Sequence, residues 1–268
     1  MSSQDEAAAV AGVVIRELRE IGEFEQVYRL FDEIWHPRPT NVPVTLELMV
    51  GFARTGNYVA GAFSGETMVG ASVGFLARGR ALHSHVTGAV VGQGVGYALK
   101  LHQRDWCLER GLEKITWTFD PLVRRNARFN LVKLGARPEA YLTDFYGVMA
   151  DAINEGDASD RLLAVWHIGE GRGEGCPEVS GARPVLEEGA DGGPVLVGGA
   201  APGGAVNGQP GARVLVGTPR DVERLRRADP GAAKAWRAAV REVLGGAMEA
   251  GGQVVGFTDR GEYVVSIN

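Results

Sequence analysis

Three groups of residues in this chain have types and spacings suited to chemistry. The first is a turn, Gly92-Gln93-Gly94-Val95-Gly96, entered by an apolar run and left by a helical pattern. Glycines between a strand and a helix leave backbone N–H groups free at the helix N-terminus, a site suited to phosphate or pyrophosphate. The spacing is not the G-x-G-x-x-G of a dinucleotide fold, and no Lys-Ser/Thr follows as in a Walker loop. The second group is His83 and His85, two apart on one strand and therefore on one face. They read as a general base, with His85 preferred, as a metal pair, or as sheet histidines bonded to neighbours. A metal would need a third ligand, and no nearby carboxylate or cysteine supplies one, so none is expected. The third group is Asp120, just before Pro121, with Arg161, Arg237 and Arg241 further on. Asp120 suits holding a water, an amine or the turn itself. Arg161 or Arg237 would clamp a carboxylate in a bidentate manner, or be a structural arginine.

These residues need a scaffold. Val13 to Leu18 reads as a strand, Glu23 to Trp35 and Thr45 to Arg54 as amphipathic helices. Tyr58 to Phe63, Met68 to Leu76 and Leu82 to Val91 read as antiparallel strands, the first two joined at Ser64-Gly65-Glu66. A helix from Val95 to Arg110 stops at Gly111. Ile115 to Phe119 is a strand, Arg124 to Leu134 a helix, and Tyr141 to Met149 a strand. Segment 151–168 supplies a connecting strand. Roughly a third of segment 169–211 is glycine, so it reads as a linker or long loop, partly ordered at Val195 to Val197. Segment 212–268 reads as strand, helices and a final hairpin, a small module expected to pack on the first, 13–150. The fold class is α+β, with helices closing a sheet.

The chain has 268 residues, 45% of them hydrophobic, and a net charge of −5. The acidic balance argues against nucleic acid as a partner. No apolar run is long enough to cross a bilayer, and the N-terminus lacks the features of a signal peptide, so no membrane partner and a cytoplasmic location are expected. Cys107 reads as a core residue and Cys176 as a loop residue, with no metal-ligand spacing between them.

The stretch around the glycine turn resembles motif A of the GNAT acyltransferases. Thr118 to Ala136, Tyr141 to Gly147, Ser159 to Trp166 and Ala235 to Glu242 resemble the predicted acetyltransferases found beside N-acylamino acid racemases. The resemblance implies a mixed, mostly antiparallel sheet splayed ahead of the turn, plus a smaller C-terminal βαββ module. It implies acetyl-CoA or another acyl-CoA as cosubstrate, held by Val91, Gly92, Gln93, Gly94, Val95 and Gly96, with Thr87 to Val91 beside the pantetheine arm. Asn126 and Asn130, four apart, would bind the pantetheine or brace the Asp120 loop. Arg124, Arg125 and Arg128 would meet the adenosine phosphate or form a solvated face. The implied activity is N-acyl transfer to a small amine, such as an amino acid or derivative, by direct attack on the thioester. Catalysis needs a neutral amine, a donor at the carbonyl and a proton for the thiolate. His85, Asp120 and Tyr146 are the catalytic candidates. The tyrosine that serves as leaving-group acid in many relatives is replaced by Leu131, which leaves Tyr141 or Tyr146 for that role. Val91 stands where the motif has Arg or Gln, and the approach to the glycines is shortened. These departures keep open a repurposed cleft with CoA-independent chemistry, or a small-molecule-binding protein. A homodimer is also kept open.

Overall fold

A computed structural model describes residues 3–37, 41–90, 93–147, 157–169, 179–198 and 211–267. The chain forms two compact units, Met1–Trp117 with His167–Glu170, and Thr118–Trp166 with Gly171–Asn268.

The first unit runs α1 (Ser3–Ala11), β1 (Val14–Glu17), α2 (Ile21–Trp35), α3 (Leu46–Arg54), β2 (Tyr58–Ser64), β3 (Thr67–Ala77), β4 (Ala81–Ala89), α4 (Val95–Glu109) and β5 (Lys114–Phe119), whose end enters the second unit. The Glu23 carboxylate accepts from the Arg19 and Glu20 N–H groups at 2.8 and 3.0 Å and so starts α2. Thr45 caps α3 by accepting from Leu48 N–H. The strands lie in the order β1-β2-β3-β4-β5. The first four are antiparallel, while β5 runs parallel to β4. Helices cover both faces. Phe24, Val27, Leu30 and Phe31 of α2 pack with Met49 of α3 on Val59, Phe63, Ala71 and Val73. Val95 and Leu99 of α4 pack with Ala62 and residues of α1 on the other face.

The second unit holds α5 (Arg124–Ala127), which passes into a π-helical stretch at Arg128–Lys133, then β6 (Arg137–Leu142) antiparallel to β7 (Arg161–His167). It also holds a five-stranded sheet of β8 (Arg183–Glu188), β9 (Pro194–Leu196), β10 (Arg213–Gly217), β11 (Gln253–Phe257) and β12 (Glu262–Ser266), in the order β11-β12-β10-β8-β9. Here β10 is parallel to β8 and the other pairings are antiparallel. Between β10 and β11 come α6 (Val222–Ala228), α7 (Pro230–Val240), a π-helical stretch at Arg241–Gly245 and α8 (Gly246–Glu249). Asp221 and Asp229 cap α6 and α7, accepting from Arg224 and Ala232 N–H. Trp236 of α7 is fully buried and donates to the Gly192 carbonyl at 2.9 Å.

The α+β class, the mixed and mostly antiparallel sheet and the βαββ order of the C-terminal elements agree with the sequence reading. Several elements differ. The strand expected at Tyr141 to Met149 starts at Arg137 and ends at Leu142, and turns follow through Gly147. A bulge between Pro138 and Ala140 and the left-handed Asp144 (φ 47°) redirect the chain there. Met149 lies outside the described residues. The helix expected at Arg124 to Leu134 changes to π geometry after Ala127. Inside segment 169–211, β9 forms at the stretch expected to be ordered, and β8 is a strand the sequence reading did not place. Val185 and Leu186 are the buried pair that anchors β8, and its short length hid it among the glycines.

Candidate functional site

In the first unit the strands part to make a fork. β4 pairs with β5 over three rungs only, Ala81–Lys114, Leu82–Ile115 and His83–Thr116. It continues beside β3 as far as Ala89. A bulge makes His85 an extra residue, since Val73 opposes Val86 and Gly74 opposes Ser84. Gly74 is required at this point, because a Cβ there would lie 2.9 Å from the His83 carbonyl oxygen. The bulge residue therefore sits two residues past the last shared rung, where β4 no longer pairs with β5.

His83 and His85 share a face as expected, with ring centres 5.1 and 6.0 Å from that of Phe75. His85 is exposed, and its Nε2 lies 2.8 Å from the Pro43 carbonyl oxygen. A carbonyl only accepts, so Nε2 carries a hydrogen, and in the neutral ring the lone pair is on Nδ1. His83 Nδ1 lies 3.0 Å from Thr116 Oγ1 on the last rung. Burial, with lesser contributions from His85 and Lys100, pushes His83 down to about 4, so it is neutral at pH 7.

The opposite face of the fork carries a buried polar chain that sequence reasoning missed. Lys100 Nζ donates to Ser84 Oγ at 2.8 Å and to Gln103 Oε1 at 3.3 Å. Gln103 Nε2 donates to Ser72 Oγ at 3.2 Å, which lies 2.8 Å from Thr87 Oγ1. Lys100 Nζ also lies 4.0 Å from the centre of the Trp117 ring. The signal was present: Lys100 and Gln103 interrupt the apolar face formed by Val95, Ala98, Leu99 and Trp106. Burial brings Lys100 down to about 7, against a smaller upward pull from Cys107. Burial pushes the Cys107 thiol up to about 12, which suits a core residue rather than a nucleophile.

The glycine turn leads into α4. Val91 and Gly92 lie outside the described residues. Gly94 takes the N-cap position with φ 74°, a left-handed conformation that favours glycine. Gln93 is exposed, and a Cβ on Gly96 would meet nothing within 4 Å. Val95 is fully buried, so its side chain belongs to the core and only its backbone can serve a ligand. A separate cleft of about 420 Å³ adjoins the C-terminal end of α4 and includes Glu17, Arg19, Arg54, Asn57 and Arg110 in its lining.

In the second unit the candidate residues bond to one another. Asp120 accepts from Arg237 Nη1 and Nη2 at 2.9 and 2.8 Å, from Arg226 Nη2 at 2.7 Å and from Leu122 N–H at 2.9 Å. Asp157 accepts from the same two arginines. Although burial opposes ionisation, Arg237 and Arg226 hold the Asp120 carboxyl well below the usual range. Asp120 is therefore a fixed anion, and the Arg237 fork read as a substrate clamp grips protein carboxylates. Arg161 is buried, donates to the Asp160 carbonyl at 2.9 Å, and lies 5.4 Å from the Tyr146 ring centre. Arg241 and the Tyr141 hydroxyl both bond the Asp160 carboxylate. Tyr146 lies in a turn rather than a strand, half-exposed, with its hydroxyl 3.0 Å from Thr118 Oγ1. Asn126 is half-buried in α5, whereas Asn130 is buried in the π-helical stretch. Arg125 pairs with Glu223 and Arg128 with Asp259.

No family model matches the chain, and no curated protein matches it. Solved structures do. An acetyltransferase described as of the GNAT family from Desulfovibrio desulfuricans aligns with TM-score 0.49 and 16% identity, over 58% of this chain and 99% of that one. The protein yncA from Salmonella typhimurium, described as an acetyltransferase and solved with acetyl-CoA, aligns with TM-score 0.48 and 12% identity, over 60% and 96%. The ribosomal-protein-S18-alanine N-acetyltransferase from Escherichia coli aligns with TM-score 0.46 and 14% identity, over 62% and 99%.

Proposed function

We propose that this protein is an N-acyltransferase of the GNAT type, which moves an acyl group from acyl-CoA to the amine of a small metabolite. The observation that carries the reading is the fork at His83–Thr116, followed on the same chain by a glycine turn and α4. In this reading the pyrophosphate lies on the first N–H groups of α4 and the pantetheine runs along the free edge of β4. The thioester then lies at the fork. His85 Nδ1 serves as general base for the amine, its orientation held by the Pro43 carbonyl. The acceptor class, an amino acid or a derivative, rests on the resemblance of the segments from Thr118 onward.

Calorimetric titration with acetyl-CoA and CoA tests the reading. Gly96→Trp is the control, because the open space around Gly96 admits a side chain that covers the turn. Micromolar binding to the unaltered protein, lost in Gly96→Trp, is the expected result. Absence of binding sinks the reading. It would favour a second one, a cleft repurposed for another small molecule, to which the valine at position 91 already points.

A further inference from the structure

Lys100 occupies the crotch of the fork. Ser84 and Trp117 are the first residues of β4 and β5 past their last shared rung, and the Lys100 amine lies against both. It is 5% exposed and Ser84 is 3% exposed. A buried ammonium is ordinarily paired with a carboxylate. Here the partners are a hydroxyl, an amide oxygen and an aromatic face.

Among the described residues, the surrounding elements supply no counter-ion. α1 places Asp5 near Asp105, β1 places Glu17 on Trp106 Nε1, and β2 places Tyr58 on His102. β3 offers the Ser72 hydroxyl, β4 offers His83, and α4 itself offers Cys107. With burial bringing the amine to about 7, both of its protonation states are populated near neutrality. As an ammonium it donates to Ser84 Oγ. As an amine its lone pair accepts the Ser84 O–H. The Ser84 hydroxyl reverses direction with each transfer.

We propose that Lys100, acting through the Ser84 hydroxyl, is the proton store of the fork. The proposal rests on the acyl-CoA reading above and deepens it. An acceptor arriving as R–NH₃⁺ passes one proton to Ser84 Oγ as the Ser84 proton moves to Lys100 Nζ. The neutral amine attacks the thioester carbonyl, forming the C–N bond. As the C–S bond breaks, the electron pair leaves on sulfur and the thiolate takes the stored proton back through Ser84. The nitrogen of the new amide loses its second proton to His85 Nδ1, the general base of that reading, and from there to solvent. Lys100 is a positioning residue in this scheme and Ser84 the relaying hydroxyl.

The chain has four lysines, Lys100, Lys114, Lys133 and Lys234. Their labelled Cε resonances can be titrated one by one by NMR, with Lys100→Met identifying the signal of interest. Lys100→Arg serves the same purpose if the methionine variant does not fold. The expected result is a Lys100 midpoint near 7 that moves by about half a pH unit or more when acetyl-CoA fills the fork. The other three lysines stay fixed, and Ser84→Ala abolishes the movement while Ser84→Thr preserves it. A Lys100 midpoint above about 9, in the ordinary lysine range, overturns the proposal. So does a midpoint unmoved by acetyl-CoA that calorimetry shows to be bound, and that outcome leaves the acyl-CoA reading standing. If acetyl-CoA gives no heat with the unaltered protein, the reading and the proton store fall together.

Discussion

Single residues here carry opposite electrostatic assignments. Asp120 is ionised and fully engaged, so its removal leaves two buried guanidinium groups short of a partner. Asp120→Asn is expected to cost about 3–5 kcal/mol in urea unfolding. Its folded-state pKa is depressed, so its contribution is complete above about pH 4 and declines as pH falls below that. Lys100 costs stability where Asp120 adds it, but its pH dependence has the same sign. Between about pH 7 and its unfolded value near 10 the unfolded chain holds a proton that the folded chain has released, so stability rises with pH. The slope is about 1.4 kcal/mol per pH unit. Above about pH 8.5 the raised Cys107 thiol opposes it, because there the unfolded chain loses a proton that the folded chain keeps. The clean window is therefore pH 7 to about 8.5. Lys100→Met should remove the rise in that window and be more stable than the parent at pH 7. A parent protein with flat stability across it would contradict the assignment.

At the level of elements, the register of α4 on the sheet decides where the glycine turn and the fork lie. Two contacts set it. A Cβ on Gly70 of β3 would lie 2.7 Å from Val95 Cγ1 and 3.0 Å from Leu99 Cδ1. Gly70→Ala must therefore push the first turn of α4 off the sheet, at a cost of about 1–3 kcal/mol. The same displacement moves the N–H groups of the glycine turn, so acetyl-CoA affinity should fall more in Gly70→Ala than in Gly51→Ala. Gly51 lies in α3 with nothing near its Cβ, which makes it the control. Equal affinities in the two variants would separate the helix register from the ligand site. The periodicity of α2 and α3 was legible because each presents one apolar stripe to a sheet face. The π-helical stretch after Ala127 was not, since one extra residue in a turn has no compositional mark.

The chain does not divide where its composition suggests. A break near residue 150 looks natural, because the last strand-like run of the first part ends there. Yet Asp120 takes its partners Arg226 and Arg237 from α6 and α7, more than a hundred residues later. The Tyr263 hydroxyl on β12 donates to the Pro121 carbonyl at 2.8 Å. A fragment of residues 1–150 would keep the strands and α4 of the first unit but leave a bare carboxylate after β5. It is expected to be protease-sensitive from Thr118 onward while Tyr58 to Trp117 stays protected. Uniform protection of the fragment would show that the arginines are dispensable for that segment.

The sequence by itself determined the α+β class, most helices and strands of the first unit, and the glycine turn. Those features follow from local rules: apolar period, turn residues and caps act over a few neighbours. It also named His83 and His85 as a pair on one face, because alternation along a strand is local. The tertiary structure alone decided which ionisable groups are buried and with whom. It placed Asp120 among arginines, put a left-handed turn before Tyr146, and set Lys100 under the fork between Ser84 and Trp117. A side chain's charge state depends on desolvation and on partners brought from distant parts of the chain. Neither is visible until the sheet has assembled.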